Sequence, residues 1–168
     1  MGMEQTVLIM EAHPCEELWR RHADRLLLYA TTLLGDRAAA EDALQNVFVR
    51  LLAADALPDV DSPGPYLFRA VRNESLNALR SRRAGPVRLF ETAADPRDTA
   101  ERADWARRVE NLLPVLPDEE REAVVLKIWG DLSIPEAAAV AGVSEKAFEH
   151  RYYRGLAALK EKLGDSHE

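Results

Sequence analysis

Apolar residues recur at spacings of three and four along most of this 168-residue chain, which is the period of an amphipathic α-helix. Segment 16–34 has its inward positions at Leu18, His22, Leu26, Tyr29 and Leu33. Segment 37–52 has them at Ala40, Leu44, Val47, Phe48 and Leu51. Gly35 is predicted to stop the first segment and Asp36 to cap the second. The pattern therefore predicts two antiparallel helices.

A third helix is predicted to begin at Tyr66. The preceding segment 55–65 contains three prolines and a glycine, which predicts a loop. The inward positions of the third helix are Leu67, Val71, Leu76 and Leu79. Its outward positions, with the basic tail that follows, are Arg69, Arg72, Asn73, Arg80, Arg82 and Arg83. This helix is thus expected to present a cationic surface.

Helical patterning is lost after this tail and then returns. Segment 84–99 has two prolines and little periodicity, which is typical of a linker. The pattern resumes near Trp105, breaks at Pro114 and Pro117, and restarts at Asp118. We find no internal repeat and no strand pattern. The prediction is an all-α chain with two small helical domains, 13–85 and 105–165, joined by a flexible linker at 86–104.

Segment 132–155 carries the local signals of two short helices joined by a tight turn. Ser133 and Glu136 have the spacing of a capping box, and Pro135 falls in the first turn, where its missing N–H has no cost. Gly142 supplies a residue that tolerates a left-handed backbone, and Ser144 can cap the second helix. These signals predict a helix-turn-helix.

The second helix of this unit has two distinct faces. Its inward face consists of Phe148, Tyr152, Leu156 and Leu159. The opposite face consists of Lys146, His150, Tyr153 and Arg154, with Arg151 at the border. A row of donors and cations fits the major groove of DNA. The alternative, which the pattern leaves open, is the solvated face of an ordinary bundle helix.

Composition adds limits to this picture. The chain is 47% hydrophobic and 30% charged, its net charge is −7, and its pI is near 5.2, which argues against a protein that coats nucleic acid. Charge is nevertheless segregated, because segment 66–88 is basic and segment 91–122 is strongly acidic. Separate charge blocks indicate separate partners.

Several classes of protein and site are disfavoured. No apolar run is long enough to span a membrane, the N-terminal segment lacks the basic start of a signal peptide, and the single Cys15 suits a reducing compartment, so a cytoplasmic location is expected. No phosphate-binding glycine loop or nucleophile with a plausible base indicates an enzyme. His13, Cys15 and His22 lack a fourth metal ligand, and no cofactor is expected.

Three segments, taken together and in order, resemble the extracytoplasmic-function (ECF) type of bacterial RNA polymerase sigma factors. Segment 33–52 resembles the helix of that family that docks on the polymerase clamp. Segment 65–83, with A-V-R-N at 70–73, resembles the promoter-melting helices. Segment 116–144 resembles the start of the C-terminal DNA-reading unit. The resemblance covers nearly the whole chain and implies a promoter-specificity subunit without chemistry of its own.

The resemblance also implies roles for particular residues. Core polymerase would be bound by Glu41, Asp42, Gln45 and Asn46, whose alternative reading is a solvated helix face. The −10 element, captured as a single strand, would be bound by Arg69, Arg72, Asn73, Arg80, Arg82 and Arg83, although Asn73 could instead be a helix-terminating cap. The −35 duplex would be bound by Ser144, Lys146, His150, Arg151 and Arg154.

The chain departs from the family pattern at some of these positions. Glu149 stands where the family usually has lysine, which should repel phosphate, and His150 replaces a small polar residue, so base preference is expected to differ. Tyr66 stands where tryptophan is usual. The acidic linker residues would thread polymerase channels or simply keep the segment solvated.

Two other functions compete with the sigma-factor reading. A stand-alone helix-turn-helix regulator would not need the basic block at 66–83. A degenerate sigma paralogue would act mainly by protein interaction, and Glu149 gives that reading some weight. By family analogy an anti-sigma factor is a further partner, whose identity the sequence does not reveal.

Overall fold

The computed structural model describes residues 14–54, 62–82, 111 and 113–165. They form six α-helices, namely α1 (Pro14–Leu34), α2 (Arg37–Ala54), α3 (Pro63–Ser81), α4 (Asp118–Ile128), α5 (Ile134–Ala141) and α6 (Glu145–Asp165). A 3-10 turn at Leu113–Val115 precedes α4, and no strand occurs in the described ranges. The all-α prediction is confirmed. Linker 86–104, Arg83, Trp105 and His13 lie outside the described residues.

Helices α1, α2 and α3 pack against one another and bury the predicted inward positions of α2. Gly35 has a φ of 66°, and its N–H donates to the Thr31 carbonyl oxygen at 2.8 Å, so α1 ends where the glycine predicts. The Asp36 carboxylate accepts a hydrogen bond from the Ala38 N–H at 3.0 Å. Both predicted helix boundaries are therefore confirmed.

The start of α3 was predicted too late. The helix begins at Pro63, so its first turn takes in the last three residues of the predicted loop. Proline is compatible with the first turn of a helix, where its missing N–H has no intrahelical partner to lose. One inward position was also wrong, because Leu79 is exposed near the end of the helix.

Helix α4 starts at Asp118 as predicted, and Arg121 ties it to the preceding turn. The Arg121 guanidinium donates hydrogen bonds to the carbonyl oxygens of Leu113, Pro114 and Leu116 at 2.9, 3.3 and 2.7 Å. Carbonyl groups of a tight turn need such partners when they are partly buried. Arg121 thus holds the 3-10 turn against the first turns of α4.

The predicted helix-turn-helix is confirmed in its local detail. Ser133 Oγ accepts from the Glu136 N–H at 3.3 Å, while a Glu136 carboxylate oxygen accepts from the Ser133 N–H at 2.8 Å. Gly142 has a φ of 71° and ends α5 in the left-handed conformation. Ser144 Oγ accepts from the Ala147 N–H at 3.2 Å and so caps α6. The start and end of α5 and the start of α6 therefore lie where these capping residues predict.

Helix α6 crosses α4 closely at Gly155. A Cβ at this position would lie 2.7 Å from Cγ2 of Val124 and 3.2 Å from the Glu120 carbonyl oxygen. Real Cβ atoms do not approach carbon so closely, so the crossing requires glycine. This contact places Arg151 and Arg154, on the adjacent turn of α6, beside the first turn of α4.

The N-terminal and C-terminal helices also contact each other. Helix α1 packs on α4, and α3 packs on α5. At the beginning of α3, a Cβ on Gly64 would lie 3.9 Å from Cδ2 of Leu132 and 4.0 Å from Cε1 of His22. Leu132 and Gly64 are both buried. The structure therefore has a closed arrangement of the two helical domains, which sequence patterning did not address.

Candidate polymerase and nucleic-acid interface

The polar face of α2 is exposed, as predicted. Glu41, Asp42, Gln45 and Asn46 all point away from the three-helix core. Glu41 accepts from Arg37 Nε at 2.9 Å, and Asn46 Nδ2 donates to Glu74 Oε1 at 3.1 Å. Within the described residues, Asp42 and Gln45 have no such side-chain partner. This face thus offers an acidic side chain and an amide for contact with another molecule.

Most of the predicted cations on α3 are exposed. Arg69 and Arg80 face solvent, as does Asn73, which lies in the middle of α3. The alternative reading of Asn73 as a terminating cap is therefore wrong. Arg82 follows the helix and pairs with Asp36 at 2.9 Å, and this hydrogen bond lowers the pKa of the Asp36 carboxyl. Cations thus extend from α3 into its basic tail.

Arg72 does not project into solvent as predicted. Its Nε donates to Glu122 Oε1 at 2.8 Å, across the contact between the two domains. The Tyr29 hydroxyl donates to the same oxygen at 2.6 Å. The side chains of Arg72 and Glu122 are 23% and 10% exposed, and Tyr29 is fully buried. Arg72 projects from α3 toward α4 because the closed arrangement places Glu122 within its reach.

This network has electrostatic consequences for its donors. Burial, the charge of Glu122 and the hydrogen bond to it raise the pKa of Tyr29 well above its usual value. Burial lowers the pKa of Arg72, but the hydrogen bond and charge of Glu122 outweigh burial and raise it overall. Both groups therefore keep their protons. Sequence reasoning predicted that Tyr29 faces inward but missed Glu122 and the hydrogen bond between them, because the two residues are 93 positions apart and no local pattern links them.

The predicted −35 residues lie together on α6 and at its N-cap. Ser144, Lys146, His150 and Arg154 are exposed, and Arg151 lies at the border of the buried face, as predicted. Because the Ser144 oxygen accepts a backbone hydrogen bond, its O–H remains available to donate to another acceptor. Glu149 is exposed in the same stretch. The face is thus cationic with one acidic interruption.

A cleft of about 420 Å³ separates this face from the first turn of α4. It is lined by Pro117, Asp118, Glu119, Glu120, Ala147, His150, Arg151 and Arg154. Arg151 pairs with Glu119 at 3.1 Å, and Arg154 Nε pairs with Glu120 Oε1 at 3.1 Å. Glu120 is largely buried and Glu119 is exposed. The acidic first turn of α4 therefore holds both arginines, which sequence reasoning did not foresee.

No helix of the described ranges is both long enough and apolar enough to span a bilayer. The described residues also contain no group of three or more His, Cys, Asp or Glu side chains that could hold a metal ion.

Two family models match the chain, in the order of its two helical domains. Sigma-70 region 2 matches residues 18–85, and Sigma-70 region 4 matches residues 106–159. The first match contains most of α1 with all of α2 and α3, and the second contains α4, α5 and most of α6. Together the two matches cover more than half of the chain.

Curated relatives are similar over most of their length. The RNA polymerase sigma-E factor of Streptomyces avermitilis is 32% identical, over 88% of this chain and 84% of its own. The RNA polymerase sigma factor CarQ of Myxococcus xanthus is 31% identical, over 89% of each chain. The ECF RNA polymerase sigma factor SigM of Mycobacterium tuberculosis is 30% identical, over 89% of this chain and 76% of its own.

Two solved structures are also similar to this chain. CnrH, in a complex with the cytosolic domain of CnrY, is 32% identical with a TM-score of 0.59, over 90% of this chain and 88% of its own. The sigma factor RpoE of Bartonella quintana, in a complex with the anti-sigma factor NepR, has a TM-score of 0.68 at 21% identity, over 89% of this chain and 98% of its own, and shows the same fold. The chain therefore belongs to the sigma-70 family, as an RNA polymerase sigma factor of the extracytoplasmic-function type.

Proposed function

We propose that this sigma factor works in the bacterial cytoplasm through three surfaces. The polar face of α2 binds core polymerase, the exposed side of α3 binds the −10 strand, and the outer face of α6 reads the −35 duplex. The observation that carries the proposal is the exposed row of donors and cations on α6. This helix belongs to a helix-turn-helix in which every predicted capping interaction is present. A helix so presented can enter the major groove. The factor performs no chemistry, and its contribution is binding and duplex opening.

The −10 surface is supported by the exposure and chemistry of α3. Extruding a base costs a few kcal/mol, which a pocket must offset with hydrogen bonds to the base edge and cations along the backbone. Asn73 is exposed and offers both a donor and an acceptor, while Arg69 and Arg80 are exposed for phosphate contact. Arg82, and Arg83 outside the described residues, extend this set. We assign these residues to the single strand, together with Arg72 once its pair with Glu122 is broken.

The −35 surface is supported by the arrangement of α6 beside α4. Lys146 and His150 face solvent near the helix N-terminus, which is the part of a recognition helix that meets base edges. Arg151 and Arg154 lie on the cleft, paired with carboxylates that hold their guanidinium groups in place. Such pairs leave further N–H groups of each guanidinium able to donate to phosphate. We assign Arg151 and Arg154 to the DNA backbone and His150 to base contact.

Transcription in vitro with purified core polymerase tests this function against its two competitors. We expect the chain and core enzyme alone to initiate at specific sites on a genomic template. A stand-alone regulator would yield no specific starts unless another sigma factor were added, and the region 2 match argues against that reading. A degenerate paralogue would bind core polymerase without opening promoters, which permanganate footprinting of unpaired thymines would reveal.

Replacing Arg151 with Ala should weaken binding of the holoenzyme to duplexes carrying the −35 element by roughly tenfold, about 1.4 kcal/mol, because a charge-assisted contact to phosphate is lost. The slope of log affinity against log salt should fall by about 0.9. The measurement is fluorescence anisotropy at several salt concentrations on a promoter found by transcript mapping. Lys160→Ala, an equal charge change elsewhere on α6, should leave both values near wild type. Unchanged affinity in Arg151→Ala would contradict this docking.

We further propose that a regulatory protein binds the factor across its two domains. Support comes from CnrH, which is 32% identical to this chain and whose solved structure is a complex with the cytosolic domain of another protein. An anti-sigma factor is the class of partner that the family predicts.

A further inference from the structure

The contact between the two domains combines polar and apolar parts. The Glu122 carboxylate on α4 accepts hydrogen bonds from Tyr29 on α1 and Arg72 on α3. Close to the start of α3, Gly64 lies beside Leu132 of the C-terminal domain, where a Cβ would make an ordinary van der Waals contact with the leucine side chain. The polar group is buried, so it has exchanged water for these two donors. The contact between the domains therefore combines buried hydrogen bonds, which need particular partners, with apolar packing.

The burial of the Glu122 carboxylate is compensated by hydrogen bonds only in the closed arrangement. A carboxylate with little solvent contact is costly unless it is paired and hydrogen-bonded. Within the described residues, both side chains that donate to Glu122 come from the other domain. When the domains separate, water replaces these partners. Glu122 therefore contributes to the closed form without being needed for the fold of its own domain.

The interdomain contact determines whether DNA can reach Arg72. Its exposed neighbours Arg69 and Asn73 can meet DNA in the closed form, but the Nε of Arg72 is occupied. Both members of this pair are shielded, since Arg72 is 23% and Glu122 10% exposed, whereas the pairs of Arg151 and Arg154 each have one exposed member. Arg72 is therefore the paired cation that phosphate reaches least easily. We propose that Glu122, by binding Tyr29 and Arg72, is an interdomain latch that keeps the sigma factor closed and withholds Arg72 from single-stranded DNA. The inference rests on the proposed role of α3.

Only open molecules present the complete set of cations. The apparent affinity for DNA therefore scales with the fraction of molecules that are open, and the latch lowers that fraction. Binding of polymerase or of DNA that separates the domains has to break the two hydrogen bonds to Glu122. The latch thus couples the separation of the domains to the exposure of one DNA contact. It is built entirely from residues of this chain.

The test uses the full-length protein and one variant on each side of the contact. Glu122→Gln removes the charge that binds Arg72, and Tyr29→Phe removes one hydroxyl while keeping the ring, which packs edge-on against Phe68 at 5.4 Å. Neither residue is among the proposed DNA contacts. Glu161→Gln, on the exposed side of α6, is the matched control for the change in net charge. Tyr29→Phe keeps the test valid if Glu122→Gln fails to fold.

Small-angle X-ray scattering should show a larger radius of gyration for Glu122→Gln and Tyr29→Phe than for wild type and Glu161→Gln. Affinity for a short fluorescein-labelled oligothymidylate should rise about tenfold in Glu122→Gln and at least about threefold in Tyr29→Phe. Adding Arg72→Ala to Tyr29→Phe should remove this gain. Unchanged scattering, unchanged affinity, or a gain that survives Arg72→Ala would each overturn the latch.

The latch and the proposed function fail in different assays. If wild type and core polymerase start transcription specifically but the latch variants bind oligothymidylate as wild type does, the latch is wrong and the function stands. If no form supports specific initiation, the function is wrong whatever the scattering shows.

Discussion

Replacing Asp42 with Arg and Gln45 with Ala together should abolish association of the sigma factor with core polymerase. Both side chains are exposed on α2 and, within the described residues, lack internal partners, so the pair is available to another protein. Truncating one member of a buried interfacial charge pair costs about 2–5 kcal/mol, and reversing its sign adds repulsion, so we expect a loss of a hundredfold or more. Co-purification with core polymerase and biolayer interferometry would measure it.

A control separates this effect from damage to the fold. Asp24→Arg makes the same charge reversal at an exposed position of α1 and should bind core polymerase as wild type does. Thermal unfolding of the double variant should match wild type, because substitutions of exposed side chains usually change stability by less than about 0.5 kcal/mol. Wild-type yield of the complex with the double variant would rule out α2 as the polymerase-binding face.

Phe148→Ala should destabilise the C-terminal domain by about 3–5 kcal/mol, the usual cost of removing a buried phenylalanine ring. Phe148 is 1% exposed and has the largest fully buried side chain within residues 113–165. In a domain of this size such a loss should lower the midpoint of thermal unfolding by more than about 10 °C. Circular dichroism melting of the full chain would measure it.

Tyr153→Ala is the matched control for this loss of stability. Its ring is on the next turn of the same helix, 63% exposed, and contacts Tyr152 with ring centroids 5.2 Å apart. Its removal should change the free energy of unfolding by less than about 1 kcal/mol. A similar melting point for Phe148→Ala and Tyr153→Ala would show that Phe148 does not anchor α6 in the core of the C-terminal domain.

Four arginines of the proposed DNA surfaces are balanced by carboxylates within the molecule. Arg72, Arg82, Arg151 and Arg154 each pair with a carboxylate. Exposed pairs of this kind contribute little stability, since water competes for both partners. Promoter DNA can therefore displace the pairs of Arg82 and Arg151 at small cost, and Arg154 is exposed enough to meet phosphate while it stays paired. The shielded pair at Arg72 opposes DNA more strongly.

Local chemistry was sufficient to predict most of the elements. Gly35, Asp36, the Ser133 capping box, Gly142 and Ser144 act within a few residues of themselves, so their roles follow from spacing. The exposed faces of α2 and α6 followed from helical period. The first turn of α3 was missed because Pro63 and Pro65 suit a loop and a helix start equally well.

The sequence by itself determined the helices, their caps, the helix-turn-helix and the faces that meet solvent, because each depends on neighbours within one or two turns. Only the tertiary structure decided that Arg72 binds Glu122 and that Arg151 and Arg154 bind the first turn of α4. Arg72 and Glu122 are 50 residues apart, and their pairing depends on how two domains pack. Helical period specifies which way a side chain points from its helix, whereas packing determines which charge it meets.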